Sequence, residues 1–538
     1  MKKTIIYLLV ISMTLLTFCS CGDDDDDDYG ENRAFIYSIS ANPKNLDPQV
    51  TTDNNSLLII KNIFEGLCRT DSYGVATPGV AVSWSSNENY TQYTFLLRPE
   101  AKWSDERPVT AHDFVFAWQR AVDPAIGSTT NSALFCVKNA AKIVSGDMPV
   151  SKLGVTAKDE HTLVVDLAYP YPEFPVLTSK AQFMPCNEDF FKSTKGHYGM
   201  DDDQLICNGP FKTTEKSWVK DEQVKVYRND MYKGENIVTP ISVNFVVRKK
   251  KTNYLDNVIN GMADAAPFDY SELQKVKSNK LNYVSFTDTT WGLAFNTQHE
   301  IMGSKDIRLA FCYSIDQAAY SSKLPGGMTE AYDIVPPATH LNGALYREIV
   351  GNGYKLAQDN KSAYIYLKNG LGNLGYNSLP KVTVLCPEGD DVKLMMQYLL
   401  QSWQENLMVY INIEQMSLSQ IRTKITLGEY QIALVPITPD KDGPSTCLNV
   451  FRSTSSSNPS KLSNYSFDAL LDTASTAHSQ EEAIAAYVAA EKMLNEDGVF
   501  YPLYYETSYY ALRNGVKGII FSPFDTCADF SQALRKIS

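Results

Sequence analysis

The sequence has no excess of basic residues. Lysine and arginine total 49 against 62 aspartates and glutamates, which gives a net charge of −13 at pH 7. A nucleic-acid-binding protein normally carries a basic stripe or patch, so we expect no nucleic-acid partner. The apolar fraction of 44% excludes wholesale disorder. A length of 538 residues predicts three or more packed units, at roughly 100–200 residues per domain.

Motifs of the common enzyme classes are also missing. The six histidines include no pair at the HxxxH or HExxH spacing of a zinc protease. The chain lacks the GxSxG turn of an α/β-hydrolase and the P-loop of an ATPase. We therefore expect a protein that is not an enzyme and that has no catalytic residue, no metal and no cofactor.

Cysteines are few for this length. There are ten, and none forms a CxxC pair, which excludes zinc-site spacing and the disulfide framework of small secreted domains. Two of them, Cys19 and Cys21, lie close to the N-terminus. The nearest pair in the rest of the chain is Cys186 and Cys207, which flank a polar loop and are our candidate for a disulfide.

One glycine-rich motif, GLGNLG at residues 370–375, matches the GxGxxG pattern of dinucleotide-binding proteins. That pattern needs a strand before it and a helix after it. Here a helical pattern at residues 362–368 comes first, and residues 377–380 lead to a proline, so the order is reversed. We interpret the motif as the C-terminal cap of a helix followed by a loop.

Long apolar runs are confined to the N-terminus. Two lysines precede an apolar stretch at residues 4–18, which is short for a membrane-spanning helix and typical of a secretory signal. A small residue, a cysteine and a polar segment follow, which resembles a bacterial lipoprotein signal. Signal peptidases select small residues at the cleavage site, so Ser20 favours Cys21 over Cys19 as the lipidated residue.

Six consecutive aspartates at residues 23–28 follow the signal. Adjacent like charges repel one another and stay solvated, and a calcium loop needs spaced ligands and a turn glycine. We therefore predict an acidic tether at residues 21–32. Secretion without a lipid, with cleavage nearby, is the alternative.

The rest of the chain alternates between strand and helix patterns. Strand patterns at residues 381–385, 411–414 and 432–435 are separated by helix patterns at residues 392–406 and 419–427. This order is typical of a lobe with a parallel sheet. Elsewhere, short alternating strands indicate antiparallel additions. We predict an α/β protein with more than one lobe.

An ordered set of motifs resembles the family-5 extracellular solute-binding proteins, which are the dipeptide and oligopeptide receptors of ABC importers. The matches run in family order over nearly the whole chain after the tether. They include NPKNLDP at 42–48, YTFLLR at 93–98, KWSD at 102–105, PVTAHDF at 108–114, NGPF at 208–211 and DIRLA at 306–310. At Glu106 this chain departs from the turn glycine that is usual in the family, which should alter that turn.

The resemblance implies two α/β lobes that close on the ligand, with an extra subdomain inserted in the first lobe. It also implies lobe crossings near residues 288–291 and 499–502. The boundaries that we expect are a signal at 1–20, the tether at 21–32, lobe I at 33–65, 185–290 and 503–538, the inserted subdomain at 66–184, and lobe II at 291–502.

The resemblance implies a lipid-anchored receptor that captures peptides and delivers them to a permease. Its partners would be a peptide ligand, the permease and ATPase subunits of an importer, and the membrane through the N-terminal lipid. It would act as a monomer on the outer face of the bacterial cytoplasmic membrane. The alternatives are a metal chelate, haem or oligosaccharide as solute, a peptide sensor without transport, and, with less support, a surface hydrolase.

The resemblance also implies a set of ligand-binding residues. Asp440 falls at the position that binds the ligand's amino group. This chain departs from the family at Pro436, which lacks an N–H, and at Leu434, where some members have a basic residue. Thr130 stands where some members have a tyrosine. The ligand-binding residues implied are Asp440, Pro436, Ile437, Thr438, Thr52, Asp53, Asn54 and Thr130.

Overall fold

The computed structural model describes residues 33–71, 74–235, 237–249, 254–341, 343–439, 442–477 and 479–536, with backbone alone at 525–527. The predicted signal and tether, with Cys19 and Cys21, lie outside the described residues. Asp440 also lies outside them.

The described strands are short except for two. They are β1 (Ala34–Ile39), β2 (Cys68–Thr70), β3 (Ala76–Pro78), β4 (Ala81–Ser86), β5 (Gln92–Leu97), β6 (Val155–Asp159), β7 (Thr162–Asp166), β8 (Phe211–Lys212), β9 (Trp218–Val219), β10 (Gln223–Arg228), β11 (Ser242–Val247), β12 (Ala265–Pro267), β13 (Asn282–Phe295), β14 (Met328–Glu330), β15 (His340–Leu341), β16 (Ala344–Leu345), β17 (Val382–Pro387), β18 (Ile411–Met416), β19 (Ile432–Ile437), β20 (Phe500–Leu512), β21 (Val516–Lys517), β22 (Ile520–Ser522), β23 (Asp525–Asp529) and β24 (Leu534–Arg535).

The described helices begin mostly at residues that can cap their first turn, such as Ser417 and Ser479. They are α1 (Asn54–Ile63), α2 (Ala111–Val122), α3 (Ala140–Val144), α4 (Phe174–Leu177), α5 (Glu188–Ser193), α6 (Tyr254–Ile259), α7 (Leu273–Ser278), α8 (Lys305–Tyr313), α9 (Gln317–Ser321), α10 (Tyr346–Val350), α11 (Asn360–Leu374), α12 (Asp390–Leu407), α13 (Leu418–Leu427), α14 (Pro444–Asn449), α15 (Tyr465–Thr476) and α16 (Gln480–Glu496). None of the helices in the described ranges has both the length and the apolar character needed to cross a membrane.

A single 12-stranded sheet runs through the molecule in the order β18-β17-β19-β13-β20-β12-β1-β11-β10-β8. Two further strands join it at the side, since β14 pairs with β20 and β9 with β10. A separate four-stranded antiparallel sheet, β4-β5-β7-β6, lies within the first half of the chain. The long strands β13 and β20 occupy the middle of the large sheet, and the other strands extend to either side of this pair.

Buried side chains pack in separate groups on the two sides of that pair. The largest group joins residues 35–247 to the C-terminal residues 512–533, and we call this part lobe I. Lobe II, residues 293–504, packs two layers of helices on its sheet. Along β19, Ile432 and Leu434 face one helix layer, and Ala433 and Val435 face the other. This alternation is the period of two that a strand imposes. The predicted domain boundaries stay a prediction.

The predicted disulfide is wrong. Cys186 and Cys207 are both free, buried thiols. Their backbones are held by different neighbours, since the N–H of Cys186 donates to Asp113 O and that of Cys207 to Ser104 Oγ. Burial raises the pKa of Cys186 to about 12 and that of Cys207 to about 11, so both thiols stay protonated.

Two turns bear on the sequence predictions. Helix α11 ends at Leu374 with Gly375 as its left-handed cap at φ 75°, which confirms the C-cap interpretation of the glycine-rich motif. The helix continues through Gly370, beyond the predicted end.

Glu106 has φ 74°, so it occupies the left-handed conformation that glycine adopts without strain. The substitution therefore places a strained residue at a glycine-like position, whereas we expected a different turn.

Candidate functional site: the crossing between the lobes

Strands β13 and β20 carry the chain between the lobes as one antiparallel ladder. The ladder shifts register after Thr287 and again after Trp291. Register shifts of this kind bend a strand and increase its twist. The predicted hinge segment 288–291 lies between them. Its partners on β20 lie at residues 504–506, whereas 500–502 pair deeper in lobe II.

Four neighbouring strands place eight side chains on one face at this crossing. The register pairs Trp291 of β13 with Pro436 of β19 and with Tyr504 of β20, and it pairs Thr289 with Glu506. On the other side of β20, Met328 and Glu330 of β14 pair with Glu506 and Tyr504, so each row of paired residues extends over four strands. Alternate residues of a strand point to the same side, so the rows align. We call this set the crossing face: Thr438, Thr289, Glu506, Met328, Pro436, Trp291, Tyr504 and Glu330.

Direct contacts hold the crossing face together. The indole of Trp291 stacks on the ring of Tyr504 with centroids 5.9 Å apart, and its Nε1–H donates to Glu506 Oε2 at 2.6 Å. The hydroxyl groups of Thr289 and Thr438 lie 3.0 Å apart. Glu506 and Thr438 are exposed and Trp291 is half-buried. The face therefore opens to solvent where the two lobes meet.

A buried carboxyl group lies beside this face. Asp288 is 5% exposed. Burial, with a smaller contribution from the charge of Glu506, raises its pKa to about 6 against the lowering effect of hydrogen bonds from Ser508 and Thr289. The charge of Glu506 opposes the ionisation of Asp288, so two acids meet at the crossing.

The outer edge of β19 is open along most of its length. Strand β17 pairs with it at Ile432 and Ala433. Beyond Ala433, the described sheet gives β19 a single strand neighbour, β13. An open edge can accept a further strand through main-chain hydrogen bonds. Pro436 lies in this open stretch and offers a carbonyl group but no N–H.

The predicted residues of lobe II divide between the two faces of β19. Pro436 and Thr438 lie on the crossing face. Ile437 points to the other side, where it is 5% exposed and packs in the lobe II core. A ligand at this strand can therefore reach the backbone of Ile437 but not its side chain.

The predicted residues of lobe I are placed apart from the crossing face. Asp53 caps α1, because its Oδ2 accepts from Ser56 N at 3.0 Å and Ser56 Oγ at 2.7 Å. Asn54 and Thr130 line one cavity of about 660 Å³. Thr130 Oγ1 donates to Gln49 O at 3.1 Å. Thr52 is exposed. The structure thus brings Asn54 and Thr130 together within lobe I, and their described hydrogen bonds do not reach Thr438.

A second cavity, of about 450 Å³, is lined by both lobes. Ser445 Oγ of lobe II donates across it to Glu173 Oε2 of lobe I at 3.4 Å. His340 and Asp442 both line this cavity and contact each other. The main-chain N–H of His340 donates to Asp442 Oδ1 at 2.6 Å, and the ring Nδ1 of His340 lies 2.7 Å from Asp442 Oδ2. Asp442, two residues after Asp440, is therefore a bound carboxylate and not a solvated loop charge.

Several of these residues were missed by sequence reasoning. Trp291 and Glu506 are 215 positions apart, and His340 and Asp442 are 102 apart. Their proximity depends on the pairing of distant strands, which no local pattern reports. The one available signal was the predicted crossing at residues 288–291, to which the sequence assigned no contact with a ligand.

Known proteins resemble this chain over nearly its whole length. The murein peptide-binding protein MppA of Escherichia coli is 29% identical over 91% of this chain and 90% of its own. The oligopeptide-binding protein OppA of Bacillus subtilis is 27% identical over 97% of both chains. The substrate-binding domain of an oligopeptide ABC transporter from Bacillus anthracis, solved by crystallography, superposes with a TM-score of 0.71 at 28% identity, over 95% of this chain and all of that one.

The family model for bacterial extracellular solute-binding proteins, family 5 middle, matches residues 76–459. The match covers more than half of the sequence. Together with the structural similarity, it confirms the predicted family and the two-lobed α/β fold. The chain belongs to the bacterial extracellular solute-binding proteins of family 5.

Proposed function

We propose that this protein binds peptides between its two lobes and presents them to an ABC importer, without catalysing a reaction. The observation that carries the proposal is the open edge of β19, which lies at the lobe crossing beside a solvent-exposed face. A peptide that adds to this edge gains main-chain hydrogen bonds that do not depend on its side chains. Its relatives MppA and OppA, named for murein peptide and oligopeptide binding, support this ligand class.

The ligand contacts that we propose come from both lobes. The main chain at Pro436 and Ile437 and the hydroxyl of Thr438 would hold the peptide backbone. Asp440, outside the described residues, would hold its amino group, and the bound carboxylate of Asp442 supports this by fixing the chain two residues further on. Thr52, Asp53, Asn54 and Thr130 would face the peptide from lobe I when the lobes close.

The proposal includes a lipid anchor at Cys21, or at Cys19 if cleavage occurs two residues earlier. A single acyl chain binds membranes only marginally, so stable anchoring needs two or more chains. The receptor would then stay at the outer face of the cytoplasmic membrane as a monomer, next to the permease and ATPase subunits. Mass spectrometry of the mature N-terminal peptide tests this part, and an unmodified N-terminus would remove it.

Calorimetry tests the ligand class. We expect the mature protein to bind trialanine and to lose affinity when the peptide is N-acetylated. Asp440→Asn should weaken binding by about 2–5 kcal/mol, as for removal of one partner of a buried charge pair. Asp203→Asn, an exposed acid in lobe I, is the matched control and should leave affinity unchanged. Equal affinity for the free and acetylated peptides would show that Asp440 is not the amine contact.

Native mass spectrometry of gently purified protein separates peptide from the other solutes. Co-purified masses that fragment as peptides support the proposal. A sugar, haem or metal chelate in their place would overturn the ligand class but not the family. Peptides recovered cleaved after incubation with the protein would indicate a hydrolase.

A further inference from the structure

The crossing face carries two acids, Glu330 and Glu506, and they differ in whether a cation lies beside them. Glu330 has a cation of its own, because Lys355 Nζ lies 3.4 Å from its Oε1 and the lysine side chain is 3% exposed. Burial lowers the pKa of Lys355 to about 8, and the charge of Glu330 opposes that shift. Glu330 and Lys355 therefore form a closed pair inside lobe II.

Glu506 is placed differently. The described contact of its carboxylate is the indole N–H of Trp291, which is neutral. Its neighbour Asp288 is a second acid, not a cation. The eight residues of the crossing face include no lysine or arginine. The exposed carboxylate of Glu506 thus adds negative charge at the open end of the face without a described cation beside it.

The surface next to Glu506 is aromatic and flat. Its accessible part is the half-buried indole of Trp291, because Tyr504 is 1% exposed and supports the indole from the lobe II core with 13° between the ring planes. An aromatic surface that ends in a carboxylate suits the side chain of lysine or arginine. The apolar stem packs on the indole, and the charged end meets both the ring electrons and the acid.

The position of Pro436 sets the length of side chain that can reach this surface. A peptide added to the open edge of β19 lies beside Pro436, and Trp291 follows on the next strand. Neighbouring strands are about 4.8 Å apart, so the backbone of the ligand lies roughly 10 Å from that of Trp291, and the two side chains must span this distance together. The short ring of Pro436 leaves this path open, and only long side chains cover the distance.

We propose that Trp291 and Glu506 form a specificity site that selects peptides carrying a lysine or arginine side chain. The inference rests on the proposed function, because it assumes that a peptide occupies the edge of β19. It assigns a ligand preference to residues that lie outside the set implied by the family resemblance.

A peptide series tests the preference. Calorimetry would compare trialanine with tripeptides that carry one lysine, norleucine or glutamate at each position in turn. At one position we expect the lysine peptide to bind about ten-fold more tightly than the norleucine peptide, and the glutamate peptide to bind worst. Raising the salt concentration should reduce the advantage of lysine, since both charges are near solvent.

Variants connect the preference to the two residues. Glu506→Gln should make the lysine and norleucine peptides bind equally. Trp291→Leu should weaken both long side chains, because the stacking surface is lost. Glu348→Gln, an exposed glutamate on α10 of lobe II, is the control and should keep the advantage of lysine.

The outcomes separate this inference from the proposed function. If trialanine binds but lysine and norleucine bind equally at every position, the specificity site is wrong and the peptide function stands. If lysine keeps its advantage in Glu506→Gln, another acid provides the selectivity and the assignment is wrong. If no peptide binds the wild type, the proposed function fails and this inference fails with it.

Discussion

Two buried carboxylates, one in each lobe, differ from Asp288 at the crossing in their partners. In lobe I, Arg120 donates to both oxygens of Asp47, at 2.7 and 2.6 Å. In lobe II, Arg347 donates to Glu491, whose Oε1 also accepts from two main-chain N–H groups at 2.8 Å. Asp288 at the crossing is as deeply buried, yet its described partners are hydroxyl groups.

This difference separates structure from function. Paired carboxylates fix the internal geometry of each lobe, because breaking one pair leaves an uncompensated buried charge. Asp288 has no described cation to stabilise its charged form, so its charge adds to that of Glu506 at the crossing. Asp47 and Glu491 are thus compensated within their lobes, whereas the charge of Glu506 at the crossing is left for what binds there.

The largest effect should come from breaking a pair inside a lobe. Arg347→Met would leave Glu491 and Asp333 without their cation, so we expect the unfolding free energy of lobe II to fall by about 3–5 kcal/mol. Urea unfolding followed by circular dichroism measures it. Arg452→Met is the control, because its ion pair with Asp472 at 2.8 Å is partly exposed and worth under about 1 kcal/mol. Equal losses would refute the contrast.

At the crossing, removal of a buried acid should raise the unfolding free energy. The pKa of Asp288 is about 6 in the fold against its ordinary value of 3.8, so its ionisation destabilises the fold by up to about 3 kcal/mol above pH 6. This loss grows as pH rises from about 4 to 6 and is absent below pH 4. Asp288→Asn should therefore be more stable than the wild type at pH 7.5 and equal to it at pH 4. Unfolding at both pH values measures this, and a less stable variant at pH 7.5 would contradict it.

A smaller effect is expected at the start of α1, where the carboxylate of Asp53 is satisfied by Ser56. Asp53→Ala should lower the unfolding free energy by about 1 kcal/mol, because the first turn loses its cap. Asp53→Asn keeps a capping oxygen and should stay within a few tenths of the wild type. A large loss in the Asn variant would mean that the charge, and not the cap, stabilises lobe I.

The smallest effect should come from the contact between the lobes. The hydrogen bond from Ser445 to Glu173 is long, at 3.4 Å, and hydrogen bonds weaken at that distance. Ser445→Ala should change the unfolding free energy by less than about 0.5 kcal/mol. Thermal unfolding without ligand tests it. A loss comparable with that of Arg347→Met would show that the lobes are locked together and not free to close.

Local patterns predicted the parts of the fold that depend on neighbouring residues. The strand patterns at 381–385, 411–414 and 432–435 correspond to β17, β18 and β19. Burial on both faces gives β17 and β19 a short apolar run, whereas the edge strand β18 alternates half-buried isoleucines with exposed polar residues. The cap at Gly375 was predicted for the same reason, since a helix end is set by a few adjacent residues.

Patterns could not predict what depends on distant pairing. The crossing face needs the exact register of β13 with β20, including two shifts that change which side chains align. The disulfide prediction failed because closeness in sequence did not bring Cys186 and Cys207 together. Glu106 adopted a glycine-like conformation because the surrounding turn determines its backbone, at a cost of about 1–2 kcal/mol.

The route of the chain through β13 and β20 also sets an order of assembly. Lobe II is one continuous stretch, so all of its core has been synthesised once β20 has been made. Lobe I needs both ends of the chain, since the ring of Phe35 in the first strand packs against Phe530, with centroids 6.4 Å apart. Domains generally fold as units as the chain emerges. The last segment to be synthesised therefore completes the first lobe, and a prematurely terminated chain would lose lobe I while it retained lobe II.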